Sequence, residues 1–138
     1  MLKYDYLSTT FAIAARSGEA MLVCIIPNFF EVCTDNIASK IFDKDMRVKD
    51  TIEACNELCH MAEEVHYLGI THSEFEELFT EYHANTKLNR GYFFEEVLEA
   101  LGYGTLNTNR RCKHNKGHDM IRHNTNEGIE IKYLRGQL

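Results

Sequence analysis

The sequence is short of proline, of regularly spaced cysteine and of long apolar runs. One Pro stands in 138 residues that are 44% hydrophobic and 26% charged, an ordinary globular composition. The chain is long enough to bury a core without covalent staples. Its five cysteines are Cys24, Cys33, Cys55, Cys59 and Cys112. An odd number without regular spacing argues against a disulfide framework and for a reducing compartment. The longest apolar run, residues 20–27, is too short for a bilayer span, which needs about 20 apolar residues. No basic segment followed by an apolar stretch opens the chain, so no signal peptide is expected and the cytoplasm is the expected location. Internal repeats, low-complexity segments and Gly-rich phosphate loops are also absent from the sequence.

Basic residues are a minority, and they are concentrated. Net charge is −6, yet residues 103–138 carry seven basic side chains against three acidic ones, and residues 1–102 carry eight against eighteen. A basic tail on an acidic body either meets a polyanion or neutralises the acidic helices beside it.

Most of the first hundred residues read as helical. A first helix is expected over residues 4–16. Residues 19–42 are apolar on most sides, with Pro27 as a kink or break. Val48, Ile52, Cys55, Cys59 and Ala62 recur at helical steps, which predicts an amphipathic helix over 45–68 stopped by Gly69. Thr71 and Glu74 form a capping box flanked by Ile70 and Phe75. Phe75, Leu78, Phe79 and Tyr82 then share one face. Asn89 caps a further helix with Phe94, Val97, Leu98 and Leu101 as its buried stripe, ended by Gly102. Residues 107–117 are polar and basic, a loop or a poorly packed strand. Met120-Ile121 and residues 129–134 predict two short strands, with turn chemistry between them at 124–128. The expected fold is α+β: a helical region over 1–88, then a helix and an antiparallel hairpin over 89–138, forming one unit.

The second part holds an ordered set of chemical groups. Glu95 lies in the predicted helix, Asp119 opens a predicted strand, and Glu130-Ile131-Lys132 lies in the next. Glu130 and Lys132, two apart on a strand, share one face, while Ile129, Ile131 and Tyr133 share the other. The eleven residues from Asp119 to Glu130 leave room for two short strands and a turn, which would bring the three groups together.

Residues 89–135 in this order resemble the restriction-endonuclease-like superfamily, named for its PD-(D/E)xK signature. The resemblance implies that Asp119 and Glu130 bind Mg²⁺ or Mn²⁺, helped by the Ile131 carbonyl. Lys132 would orient and help deprotonate the attacking water. Glu95 would act through a water, and Glu96 and Glu99 share its helix. Such a site hydrolyses phosphodiesters by stabilising charge on the phosphate. Mg²⁺ suits so few carboxylates because it keeps several waters. His118 stands where the signature has Pro. The family core also continues after E-x-K with a helix and a strand, and neither follows Lys132. The N-terminal helices, a second copy or a protein partner would have to complete it.

DNA is the expected partner, its backbone held by Arg110, Arg111, Lys113, Lys116 and Arg122 in a salt-dependent, largely sequence-blind way. Tyr103 and Tyr133 lie near the basic tail, Tyr133 as a core-facing strand residue. Cys112, His114, His118 and His123 offer sulfur and imidazole for Zn²⁺ instead, although not at standard finger spacing. Cys55, Cys59 and His60 form another trio, on an apolar stripe that reads as core. A non-enzymatic alternative makes the chain a binding module, either a nuclease relic or an acidic interaction protein.

Overall fold

Val23, Cys24, Ile25 and Ile26 are consecutive and all buried. Paired on both sides as a strand, the run is covered on both faces of its sheet. The computed structural model describes residues 11–16, 21–27, 48–83, 89–109 and 118–134. In chain order its elements are strands β1 (Phe11–Arg16) and β2 (Leu22–Pro27), helix α1 (Val48–Met61), strand β3 (Glu64–Tyr67), helices α2 (His72–His83) and α3 (Arg90–Ala100), then strands β4 (Gly104–Leu106), β5 (Met120–Arg122) and β6 (Gly128–Leu134). The fold is α+β.

The strands form one six-stranded sheet in the order β3-β2-β1-β6-β5-β4. Every neighbouring pair is antiparallel except β1 and β6, which run parallel from Phe11↔Ile129 to Arg16↔Leu134. The edge of β6 away from β5 is therefore taken by a strand from the other end of the chain.

This corrects the expectation of a multi-helix region over 1–88. Residues 11–16 and 22–27 are strands. Short apolar runs carry no period that separates a buried strand from a buried helix, and here long-range pairing decides. Pro27 ends β2 instead of kinking a helix. The helix expected to reach residue 68 stops at Met61, and Glu64–Tyr67 adds to the free edge of β2 as β3. The sheet draws strands from both sides of residue 88.

From Thr71 onward the structure follows the sequence more closely. The Thr71 hydroxyl accepts the Glu74 amide at 3.1 Å and the Asn89 side chain accepts the Tyr92 amide at 2.9 Å, as the two caps require. Gly102 has φ of 90°, the left-handed conformation that lets the chain leave α3 for β4. The turn between β5 and β6 holds Asn124 and Asn126 at φ of 72° and 59°, which Asn tolerates better than most residues.

Helices cover both faces. Phe75, Phe93, Phe94 and Leu98 from α2 and α3 pack with Val23, Ile25, Met120, Ile129 and Ile131 on one face. Arg90 fastens α2 to α3, donating to both oxygens of Glu76 at 2.6 and 2.8 Å and lying over the Phe79 ring. The opposite face carries α1, which lies against β1, β2 and β6 and meets Cys24 through Cys59. Among the described residues, no helix is long and apolar enough to cross a membrane.

Candidate functional site

Strand alternation gives β6 two chemically different faces. Ile129 and Ile131 enter the core under α2 and α3. Tyr133 stacks on Phe75 there, ring centroids 5.3 Å apart, which places it in the core. Glu130 and Lys132 point to the other face. Glu130 is 1% exposed, whereas the Lys132 side chain retains 21%. In register beside them stand Ala12 and Ala14 of β1, residues with no polar side-chain group.

Asp119 sits where β5 begins to pair with β6. Its amide donates to the Ile129 carbonyl at 3.1 Å, and its carboxylate Oδ2 accepts the Ile131 amide at 2.9 Å. The side chain thus takes up a β6 amide one step beyond the paired residues Met120 and Ile129. Asn107, just past β4, holds the same segment. Its amide donates to the Asp119 carbonyl at 2.9 Å, and its side-chain Nδ2 donates to the His118 carbonyl at 3.0 Å. In the sequence Asn107 starts a polar loop, and nothing in its context marks it as a clamp.

Asp119, Glu130 and Lys132 are brought together. Lys132 Nζ stands 3.4 Å from Glu130 Oε1. Glu130 Oε2 is buried and has no hydrogen-bond partner. Burial pushes the Glu130 carboxyl up to about 8; the Asp119 charge and a hydrogen bond to its carboxyl push the same way, and Lys132 only partly opposes them. At neutral pH the pair therefore holds a proton that two separate carboxylates would not.

The donor set fits a hard divalent cation. Two adjacent carboxyls, one with an orphaned buried oxygen, supply the few oxygens that Mg²⁺ takes from protein. No group of three or more His, Cys, Asp or Glu side chains converges into a metal cage among the described residues. Glu95 accordingly does not join Asp119 and Glu130 in such a group. It is 6% exposed on α3, the helix packed on the face away from Glu130. Glu99, one turn later, is engaged by the Leu106 amide at 2.7 Å.

The basic residues expected to hold a nucleic-acid backbone are largely out of view. Arg110, Arg111, Lys113 and Lys116 lie outside the described residues, as do the zinc candidates Cys112 and His114. Arg122 lies 3.7 Å from Glu64. It lines a cleft of about 410 Å³ with His66, Tyr103 and His123, floored by Ile25 and Ile129, on the core face of the sheet. Burial raises the Tyr103 hydroxyl pKa. His123 Nε2 is 3.0 Å from the Thr105 hydroxyl, and His118 Nδ1 is buried without a hydrogen-bond partner. Cys59 lies against the sheet and Cys24, while His60 is exposed. Comparison with protein-family models, curated proteins and solved structures finds no match to this chain.

Proposed function

We propose that the chain is a nuclease-like protein whose Asp119 and Glu130 hold Mg²⁺ or Mn²⁺ for hydrolysis of DNA phosphodiesters. One observation carries the reading: a fully buried carboxyl with an unpartnered oxygen, wedged between a second carboxyl and an ammonium. A solely structural role would leave that oxygen paired or solvated, because burying an unsatisfied polar atom costs about 1–3 kcal/mol. A bound divalent cation would supply Lewis-acid stabilisation of charge on the phosphate.

The chain's own residues do the rest. The Ile131 amide holds Asp119 Oδ2 in place, so the carboxylate is positioned before any ligand arrives. Glu130, protonated at neutral pH, would have to give up that proton before its carboxylate could hold a cation. Lys132, beside it at 3.4 Å, would position the attacking water and help remove its proton. The resemblance to the PD-(D/E)xK superfamily supports this order of roles. The strand β1, lying parallel beside β6, supports a completed sheet around the E-x-K strand without a partner chain.

The test is cleavage of supercoiled plasmid and single-stranded DNA with Mg²⁺ or Mn²⁺, using the parent beside Lys132→Ala. Cutting that depends on the metal and disappears in the variant supports the reading. Cutting by neither sinks it. A second reading, a non-enzymatic binding module, is favoured by the placement of α3, which carries Glu95 on the face away from Glu130. Metal-dependent stabilisation without cleavage would identify that case.

A further inference from the structure

A cysteine in an interior usually behaves as a small apolar filler. Cys24 and Cys59 go further than that. Their Sγ atoms stand 2.8 Å apart across 35 residues of sequence. Cys24 is fully buried on β2, and Cys59 is partly exposed on α1. A disulfide needs about 2.05 Å between sulfurs. At 2.8 Å the two sulfurs already face each other across the strand and the helix.

The pair also has a defined place relative to the carboxyl site. Cys24 is in register with Ala14, and Ala14 with Lys132, so the three form one row across β2, β1 and β6. Neighbouring strands are spaced about 4.8 Å apart, which puts the Cys24 and Lys132 backbones about 10 Å apart. Helix α1 lies over these same strands. A bond between Cys59 and Cys24 would therefore fix the helix beside the face that carries Glu130 and Lys132.

We propose that Cys24 and Cys59 are an oxidant-responsive dithiol whose disulfide locks α1 onto the sheet. The oxidant is a hydroperoxide. The thiolate of Cys59, the accessible member, attacks the peroxide; the O–O bond breaks, and Cys59 becomes a sulfenic acid while the departing oxygen leaves as water or an alcohol with the thiol proton. The Cys24 sulfur then attacks the Cys59 sulfur; the S–O bond breaks and water leaves with the second thiol proton. Two electrons pass from the two sulfurs to the peroxide, and no other reactant is needed. The lock is independent of whether the carboxyl site cleaves DNA.

The experiment uses the full chain, reduced and then freed of reductant. Hydrogen peroxide is added, remaining thiols are alkylated, and the peptides are mapped. The expected product is a Cys24–Cys59-linked peptide with the loss of two hydrogen atoms, reversed by a dithiol. Closing this loop should raise the melting temperature on the order of 10 °C. In Cys24→Ser, oxidation should stop at a trappable sulfenic acid on Cys59. Three results would overturn the proposal: both thiols still alkylatable after peroxide, either sulfur paired with a different cysteine, or one zinc per chain that must be chelated before these thiols react. The first reading is made on the parent protein, so a poorly folding variant does not affect it.

Discussion

Lys132 holds its ammonium 3.4 Å from Oε1 of Glu130, yet this attraction does not keep Glu130 ionised. Burial and the neighbouring Asp119 carboxyl outweigh it, and the carboxyl is pushed from an ordinary 4.5 up to about 8. The consequence for stability has a definite sign. The folded pKa lies above the unfolded one, so the contribution is fully present below about 4.5 and is lost as pH rises through about 8. Without divalent cations the protein should therefore lose stability across that window, by on the order of a few kcal/mol. Glu130→Gln should flatten the slope. Denaturant midpoints measured across pH for both proteins check this. Equal slopes in parent and variant would mean that Glu130 is ionised in the folded state.

A cation that binds both carboxyls must displace that proton. Apparent affinity for Mn²⁺ or Mg²⁺ should rise about tenfold per pH unit up to about 8 and level off above it. The melting temperature should rise on adding metal at pH 8 and much less at pH 6. Calorimetry in two buffers of different ionisation enthalpy counts the protons released. Affinity without pH dependence would remove Glu130 from the ligand set.

Much of the chain from Thr71 onward was legible in its residues because its signals are local. Thr71 and Asn89 cap their helices with side chains three residues from their targets. Ile129, Ile131 and Tyr133 alternate with Glu130 and Lys132, so the two faces of β6 could be assigned from period alone. The N-terminal strands were not legible for the opposite reason. Residues 22–27 are apolar at every position, and β1 is held by β6 from the far end of the chain. No local pattern records such a partner. The site was half legible. The E-x-K spacing placed Glu130 and Lys132 on one face, but it could not show that Glu130 is wholly buried, since burial comes from the packing around β6. Nor could it show that Asn107 grips the peptide before β5, or that α3 lies on the other face.

Gly104 is fixed by close packing. A Cβ there would run into the Ile121 carbonyl oxygen and meet Met120 Cγ at 2.6 Å. The side chain of Met120 can adjust, but the β5 backbone is held by Arg122 on the same rung and by β6 beyond it. Gly104→Ala should cost about 1–3 kcal/mol, as overpacking generally does. Because β5 leads out of Asp119, the variant should also weaken metal-induced stabilisation. Thermal unfolding with and without Mn²⁺ separates the two effects, and an unchanged melting temperature would show that β4 yields instead.

The two neighbours of Glu130 act on it in opposite directions, which gives a test that general destabilisation cannot imitate. Asp119 raises the Glu130 pKa through its charge and through the hydrogen bond between the carboxyls, and Lys132 lowers it. Asp119→Asn keeps an oxygen for the Ile131 amide but removes the charge, so Glu130 should ionise at lower pH than in the parent. Lys132→Met removes the ammonium and keeps the apolar stem, so Glu130 should ionise at higher pH. Carbon-detected NMR titration of the Glu130 carboxyl reads both shifts directly. Loosened packing would let water in and lower the pKa in either variant. Opposite shifts therefore require the three groups to meet as described, and shifts of the same sign would dissolve the site.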